Sequence, residues 1–170
     1  MSKTLRLAAP LQYESVVDGP GFRIVLWTQG CRMNCPGCHN PETWCFEGGK
    51  EFKPETLNEI CEALTAQGVQ RNLCLMGGEP LCRENIFLSN LVVKTVKERV
   101  PKAKIYVWTG YIFEDLVAAG DKHVMDLLDA ADVLVDGPFI ESLKDTTLAM
   151  RGSSNQRILN LTEVRKNDII

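Results

Sequence analysis

Cys31, Cys35 and Cys38 stand in the run Cys31-Arg32-Met33-Asn34-Cys35-Pro36-Gly37-Cys38-His39. Three thiolates at CxxxCxxC spacing are one short of the four cysteines that usually ligate a cubane iron–sulfur cluster. One iron is then left open, able to chelate a small molecule through an amine and a carboxylate and to pass an electron into it. With seven cysteines in 170 residues, a given three-position pattern arises by chance in roughly one chain in a hundred, so coincidence explains it poorly. Two other readings stay open. Cys31, Cys35, Cys38 and His39 could supply three sulfurs and a nitrogen to zinc, although structural zinc sites bring their ligands as two spaced pairs. Cys45 or a more distant cysteine could complete a four-thiolate electron carrier. Cys61, in a helical stripe, and Cys74, inside a strand, read as buried small hydrophobes. Cys82 lies near the site in sequence, and its role is left open.

The second group with chemical meaning is Gly77-Gly78-Glu79-Pro80. Two residues without a Cβ let ligand atoms approach the backbone, and Glu79 adds an acceptor for an ammonium group. Alone the tetrapeptide is a turn. Beside a three-cysteine loop it reads as part of a site.

The elements that must position these groups follow from periodicity. Residues 22–28, 71–76, 103–108 and 131–135 are short β-rich apolar runs, which predicts four strands, with 156–161 a fifth. Leu57, Ile60, Cys61 and Leu64 form an i, i+3, i+4, i+7 stripe that starts near Pro54 and stops at Gly68. A second helix is expected over residues 84–99, ended by Pro101. A third runs over 113–119, breaks at Gly120 and resumes through Val124, Leu127 and Leu128. Strand–helix alternation predicts an α/β fold with parallel strands, and four or five units are too few for a complete barrel. The expectation is an open, partial βα barrel in one domain over residues 1–170, with a lead-in over about 1–20 and the cluster loop at 29–44. The cysteine run, Gly77-Gly78-Glu79-Pro80, Thr109-Gly110-Tyr111 and Asp136-Gly137-Pro138 then all follow strands, on the face where α/β sites are built.

Composition narrows the classes. Hydrophobic residues at 45% and charged residues at 24% suit a soluble globular chain, and a net charge of −3 without a Lys/Arg run argues against a nucleic-acid partner. No apolar stretch reaches signal-peptide or membrane-span length, so a cytoplasmic protein with no membrane partner is expected. An odd number of cysteines then reads as thiols and metal ligands in a reducing compartment.

The three-cysteine run followed by Gly77-Gly78-Glu79-Pro80 resembles the radical S-adenosylmethionine enzymes. The segments Asp18-Gly19-Pro20-Gly21-Phe22-Arg23, Gln29-Gly30-Cys31, Cys35-Pro36-Gly37-Cys38-His39-Asn40-Pro41, Val135-Asp136-Gly137-Pro138-Phe139 and Arg151-Gly152-Ser153-Ser154-Asn155-Gln156-Arg157 are similar to the activating proteins of anaerobic (class III) ribonucleoside-triphosphate reductases, across about residues 10–161. Gly37 replaces the aromatic residue common elsewhere in the superfamily, and some relatives carry Asp where Glu79 stands. The resemblance implies a [4Fe–4S] cluster on Cys31, Cys35 and Cys38, with its open iron binding the amino and carboxylate groups of S-adenosylmethionine. It implies an oxidoreductase activity. Reductive cleavage gives methionine and a 5′-deoxyadenosyl radical, which takes hydrogen from a glycine of the reductase. Gly77, Gly78 and Glu79 would orient the methionyl amine, Gly37 and His39 would touch the cofactor, and Asn40 and Asp136 would be further contacts. A low-potential donor such as flavodoxin or ferredoxin is implied. An activase for another glycyl-radical enzyme, such as pyruvate formate-lyase, is the neighbouring alternative, and a non-enzymatic iron–sulfur carrier is the alternative outside enzymes.

Other residues have plainer readings. His123 reads as solvated, and Trp27, Trp44 and Trp108 as core or rim packing. Arg151, Ser153, Asn155, Gln156 and Arg157 form a dense donor set, readable equally as a partner-binding rim or as a solvated loop entering the last strand.

Overall fold

The computed structural model of the chain describes residues 5–17 and 19–167; Asp18 of the quoted motif lies outside them. In chain order its elements are β1 (Arg6–Leu7), β2 (Gln12–Ser15), β3 (Arg23–Thr28), β4 (Lys50–Glu51), α1 (Glu55–Thr65), β5 (Asn72–Gly77), α2 (Ile86–Arg99), β6 (Ile105–Trp108), α3 (Phe113–Ala119), α4 (Lys122–Ala130), β7 (Val133–Asp136), β8 (Arg157–Asn160) and α5 (Leu161–Lys166). Every strand and helix expected from periodicity is present, with ends shifted by a few residues.

One sheet runs in the order β4-β1-β3-β5-β6-β7-β8, with β2 also on β3. Its centre, β3-β5-β6-β7, is parallel in register, Arg23 beside Asn72, Leu73 beside Ile105, and Tyr106 beside Val133. The near-continuous apolar runs of these strands arise because both faces are covered. Ile24, Leu26, Leu73, Leu75, Ile105, Val107 and Leu134 face one way, into the main core shared with the helices. Val25, Cys74, Met76 and Tyr106 form a second, smaller cluster, with Trp27, Trp108, Val133 and Met150 packed against it.

The sheet is mixed rather than parallel throughout, which corrects the expectation of parallel strands only. The fifth predicted strand, β8, pairs antiparallel with β7, Asp136 opposite Arg157 and Val133 opposite Asn160. A parallel neighbour requires a crossover, usually helical, whereas the loop 137–156 returns along one end of the sheet. The lead-in is also structured, since β1 and β2 pair antiparallel with β3.

Local signals place the helix ends. α1 carries the stripe Ile60, Cys61 and Leu64 into the core and is followed by Gln67 and Gly68, both at positive φ. α3 ends at Gly120 in the left-handed conformation, and Asp121 then caps α4 by accepting from the His123 and Val124 amides at 2.9 and 3.1 Å.

Candidate metal centre and cofactor cleft

The loop after β3 leaves and returns through a narrow neck. Gly30 N donates to Thr43 O at 2.7 Å, Cys31 N donates to Trp44 O at 3.1 Å, and buried Gln29 reaches the carbonyls of Glu42 and Cys45 at 3.1 and 2.6 Å. Such closure makes a compact surface loop whose interior can face one way. Two of the three cysteine sulfurs accept a main-chain N–H, from Met33 N to Cys31 and from Asn40 N to Cys38, both at 3.4 Å. Burial pushes the Cys31 and Cys35 thiols up, an effect the Met33 amide partly offsets at Cys31.

The loop after β5 is stitched to that neck. Gly78 N donates to Thr28 O at 2.8 Å and Glu79 N to Gly30 O at 2.9 Å. The buried Asn85 amide donates to Gly30 O at 3.1 Å and to Glu79 O at 3.0 Å. The two glycines are required by this contact. A Cβ on Gly78 would lie 2.4 Å from Gly30 O, and one on Gly77, whose φ is +108°, would lie 2.7 Å from Thr28 O. The sequence reading gave both glycines to ligand approach; the structure adds backbone packing as a prior demand on them.

Glu79 is 1% exposed. Its Oε1 accepts from Leu81 N at 3.0 Å and Thr109 Oγ1 at 2.8 Å, and its Oε2 accepts from Gly110 N at 2.8 Å. Burial pushes its carboxyl up to about 7, against the pull of these three donors. Oε2 retains lone-pair capacity for one further donor.

These groups share the wall of a cleft of about 420 Å³, which holds Cys31, Cys35, Cys38, His39, Asn40, Gly77, Gly78 and Glu79 together. Aromatic and thioether side chains line it too, Trp27, Met76, Trp108 and Met150, so the three tryptophans, Trp44 included, are rim and wall residues. Arg151 and Gln156 also reach the wall. Gly37 does not; its φ of +73° makes the turn between Cys35 and Cys38, with its α-carbon turned toward Glu141.

Asp136, Ser153, Asn155 and Arg157 are not on the wall. Asp136 is buried under Arg157, whose Nε and Nη2 meet its two oxygens at 2.9 and 2.5 Å. Ser153 accepts from Ile140 N at 3.2 Å, Asn155 donates to Pro138 O at 2.8 Å, and Gln156 donates to Gly137 O at 3.0 Å while accepting from Gly152 N at 2.8 Å. Most of that donor set holds the 137–157 loop to itself. Sequence reasoning placed Thr109 on the site face by its position after β6 without giving it a role, quoted Phe139 only within a motif, and passed over Asn85 and Met150, which carry no signal of their own in the sequence.

The donor set fits an iron–sulfur cluster. His39 adjoins Cys38 in the chain, whereas structural zinc sites bring their ligands as two spaced pairs. Three soft thiolates lining one cleft, two of them with an N–H on sulfur, suit a polynuclear cluster. Cys45 is exposed off the wall with its thiol against Glu47, and Cys61, Cys74 and Cys82 are buried. Burial pushes the Cys82 thiol up to about 12, so it stays protonated and inert. His123 is exposed and lies against the Phe87 ring at 4.7 Å.

A family model described as "4Fe-4S single cluster domain" matches residues 17–159, and the chain belongs to that family. Its relatives narrow the class. It is 39% identical over 147 residues to the "Anaerobic ribonucleoside-triphosphate reductase-activating protein" of Salmonella typhimurium, covering 86% of this chain and 93% of that protein. The proteins of that name from Escherichia coli and Enterobacteria phage T4 are each 38% identical, over 86% and 89% of this chain and 93% of their own lengths. At that identity and coverage the chain belongs to the family of anaerobic ribonucleoside-triphosphate reductase-activating proteins.

Proposed function

We propose that this chain is an iron–sulfur activase that uses S-adenosylmethionine to install a glycyl radical in an anaerobic ribonucleoside-triphosphate reductase. One arrangement carries the reading: three cysteines, two of them amide-capped at sulfur, line one cleft with the buried acceptor Glu79. The names of the relatives supply the partner.

Cys31, Cys35 and Cys38 hold the [4Fe–4S] cluster and leave one iron open. Glu79 accepts the methionyl ammonium, whose positive charge relieves the cost of keeping a carboxylate in a dry site. The backbones of Gly77 and Gly78 and the flanking His39 and Asn40 fix the cofactor's approach, while Gly37 and Asp136 shape the loops that carry those contacts. Held by these residues, a cluster and S-adenosylmethionine would supply one-electron cleavage of the sulfonium C–S bond and, from it, hydrogen abstraction at a glycine Cα. Trp27, Met76, Trp108 and Met150 exclude water from the end of the cleft where a radical must survive. Arg151, among the described residues the one Lys or Arg on the wall, meets the partner's main chain. The sheet acts as an open partial βα barrel, its parallel strands delivering four loops to one cleft. A low-potential flavodoxin or ferredoxin in a reducing cytoplasm supplies the electron.

Anaerobic reconstitution tests this. The reduced, brown protein should convert S-adenosylmethionine to 5′-deoxyadenosine and raise a glycyl-radical EPR signal in the reductase. A cluster without cleavage means an electron carrier. Cleavage with a radical appearing only in another glycyl-radical protein means a different activase.

A further inference from the structure

Thr109 follows the last residue of β6 and is buried. Its main chain is fixed by β7, Thr109 N donating to Val135 O at 2.9 Å. Its side chain reaches the loop after β5, where Oγ1 donates to Glu79 Oε1 at 2.8 Å while accepting from Tyr111 N at 3.1 Å. A hydroxyl has one proton and an ionised carboxylate can only accept, so with the Tyr111 amide on a lone pair the Thr109 proton is committed to Glu79.

The two oxygens of Glu79 differ as a result. Each oxygen of an ionised carboxylate offers about two acceptor positions. Oε1 has both filled, by Thr109 Oγ1 and by Leu81 N at 3.0 Å, whereas Oε2 has one filled, by Gly110 N at 2.8 Å. Oε2 is also the oxygen beside the cluster loop. A Cβ on Gly110 would lie 3.0 Å from Met33 Cε and 3.6 Å from Glu79 Oε2, so it would touch both. Cys31, Met33, Glu79, Thr109 and Gly110 all line the cleft.

We infer that Thr109 is a positioning residue for the ammonium group of the cofactor: by filling the second position on Glu79 Oε1, it leaves the carboxylate one open acceptor, on Oε2 beside the cluster loop. The inference deepens, and rests on, the reading of Glu79 as the acceptor for the methionyl ammonium of S-adenosylmethionine. Without the hydroxyl, Oε1 regains an empty position and the buried carboxylate loses one of its three donors. A ligand ammonium then meets a carboxylate no longer pinned from the β6 side. Thr109 acts only through Glu79. Valine matches threonine in shape and lacks the hydroxyl, while serine keeps the hydroxyl on a smaller side chain, so the two replacements separate the hydrogen bond from packing.

The test is calorimetric titration of S-adenosylmethionine into anaerobically reconstituted protein with the cluster left oxidised, so that no cofactor is cleaved. Thr109→Val should keep wild-type iron content and bind S-adenosylmethionine about tenfold more weakly, the effect of one hydrogen bond to a charged group. Thr109→Ser should bind it as wild type does. The second probe, 5′-methylthioadenosine, lacks the amino-acid part and should not distinguish the three proteins. Wild-type affinity for S-adenosylmethionine in Thr109→Val overturns the inference, as does a Thr109→Ser protein as weak as the valine variant. Loss of the cluster from Thr109→Val, or an equal loss of affinity for 5′-methylthioadenosine, overturns it too, since the hydroxyl would then support the cleft as a whole. A wild-type protein that holds its cluster and does not bind S-adenosylmethionine overturns the proposed function, and this inference with it.

Discussion

The α-carbon of Gly78 rests on the backbone of Gly30, with the Gly30 oxygen 2.4 Å from where a Cβ would sit. This contact joins the end of β5 to the residue before Cys31, so the glycine-rich turn and the cluster loop are one packed unit. Gly78→Val must push backbone against backbone. Overpacking of this kind costs roughly 1–3 kcal/mol, and the displaced neck is the one that carries Cys31. Denaturant unfolding and iron content should both fall; a variant with full iron and unchanged stability would show that the contact is not needed.

The cysteines should divide by place. Cys31→Ala, Cys35→Ala and Cys38→Ala are each expected to abolish the cluster, because no described cysteine stands nearby on the same wall as a substitute. Cys45→Ala and Cys61→Ala should keep it, the latter at a stability cost of about 1 kcal/mol for a lost buried sulfur. Iron analysis and visible absorbance decide. Loss of the cluster from Cys45→Ala would point to a four-thiolate carrier.

Glu79 should make the cluster-free protein less stable as pH rises. Its folded carboxyl is pushed up to about 7 by burial, above the ordinary 4.5. Between those values the folded state holds a proton that the unfolded state has released, so unfolding free energy falls with pH across that window and levels off on either side. The full loss is roughly 3 kcal/mol at most. Denaturation at a series of pH values should show the slope in wild type and its flattening in Glu79→Gln; equal slopes would mean that Glu79 ionises normally.

Arg151 is the residue left to meet a partner. Its Nη1 donates to Gln156 O at 3.2 Å, while its buried Nε has no hydrogen-bond partner among the described residues. Arg151→Ala should lower glycyl-radical yield on the reductase by about tenfold, the loss of one charge-assisted hydrogen bond of roughly 1.5 kcal/mol. Release of 5′-deoxyadenosine, measured on the same preparation, should fall less. A parallel fall in both would assign Arg151 to the cofactor.

Much of this protein is fixed by residue type and spacing alone. CxxxCxxC names a set of soft ligands whatever the fold, the apolar runs of β3, β5 and β6 need cover on both faces, and Pro101, Gly120 and Asp121 mark chain ends through backbone sterics and capping. Their order along the chain was enough to put four loops at one end of a sheet. The tertiary structure decided what depends on main-chain atoms and on distant partners. That β8 runs antiparallel follows from a loop that returns along the sheet, which no periodicity encodes. That Gly78 answers to Gly30 and that Asn85 ties the two loops are contacts between segments 48 and 55 residues apart. Arg157 shows the limit most directly. Its type suggested a free donor at a rim, and only the pairing of β7 with β8 reveals that Asp136 and Glu114 already fill its guanidinium.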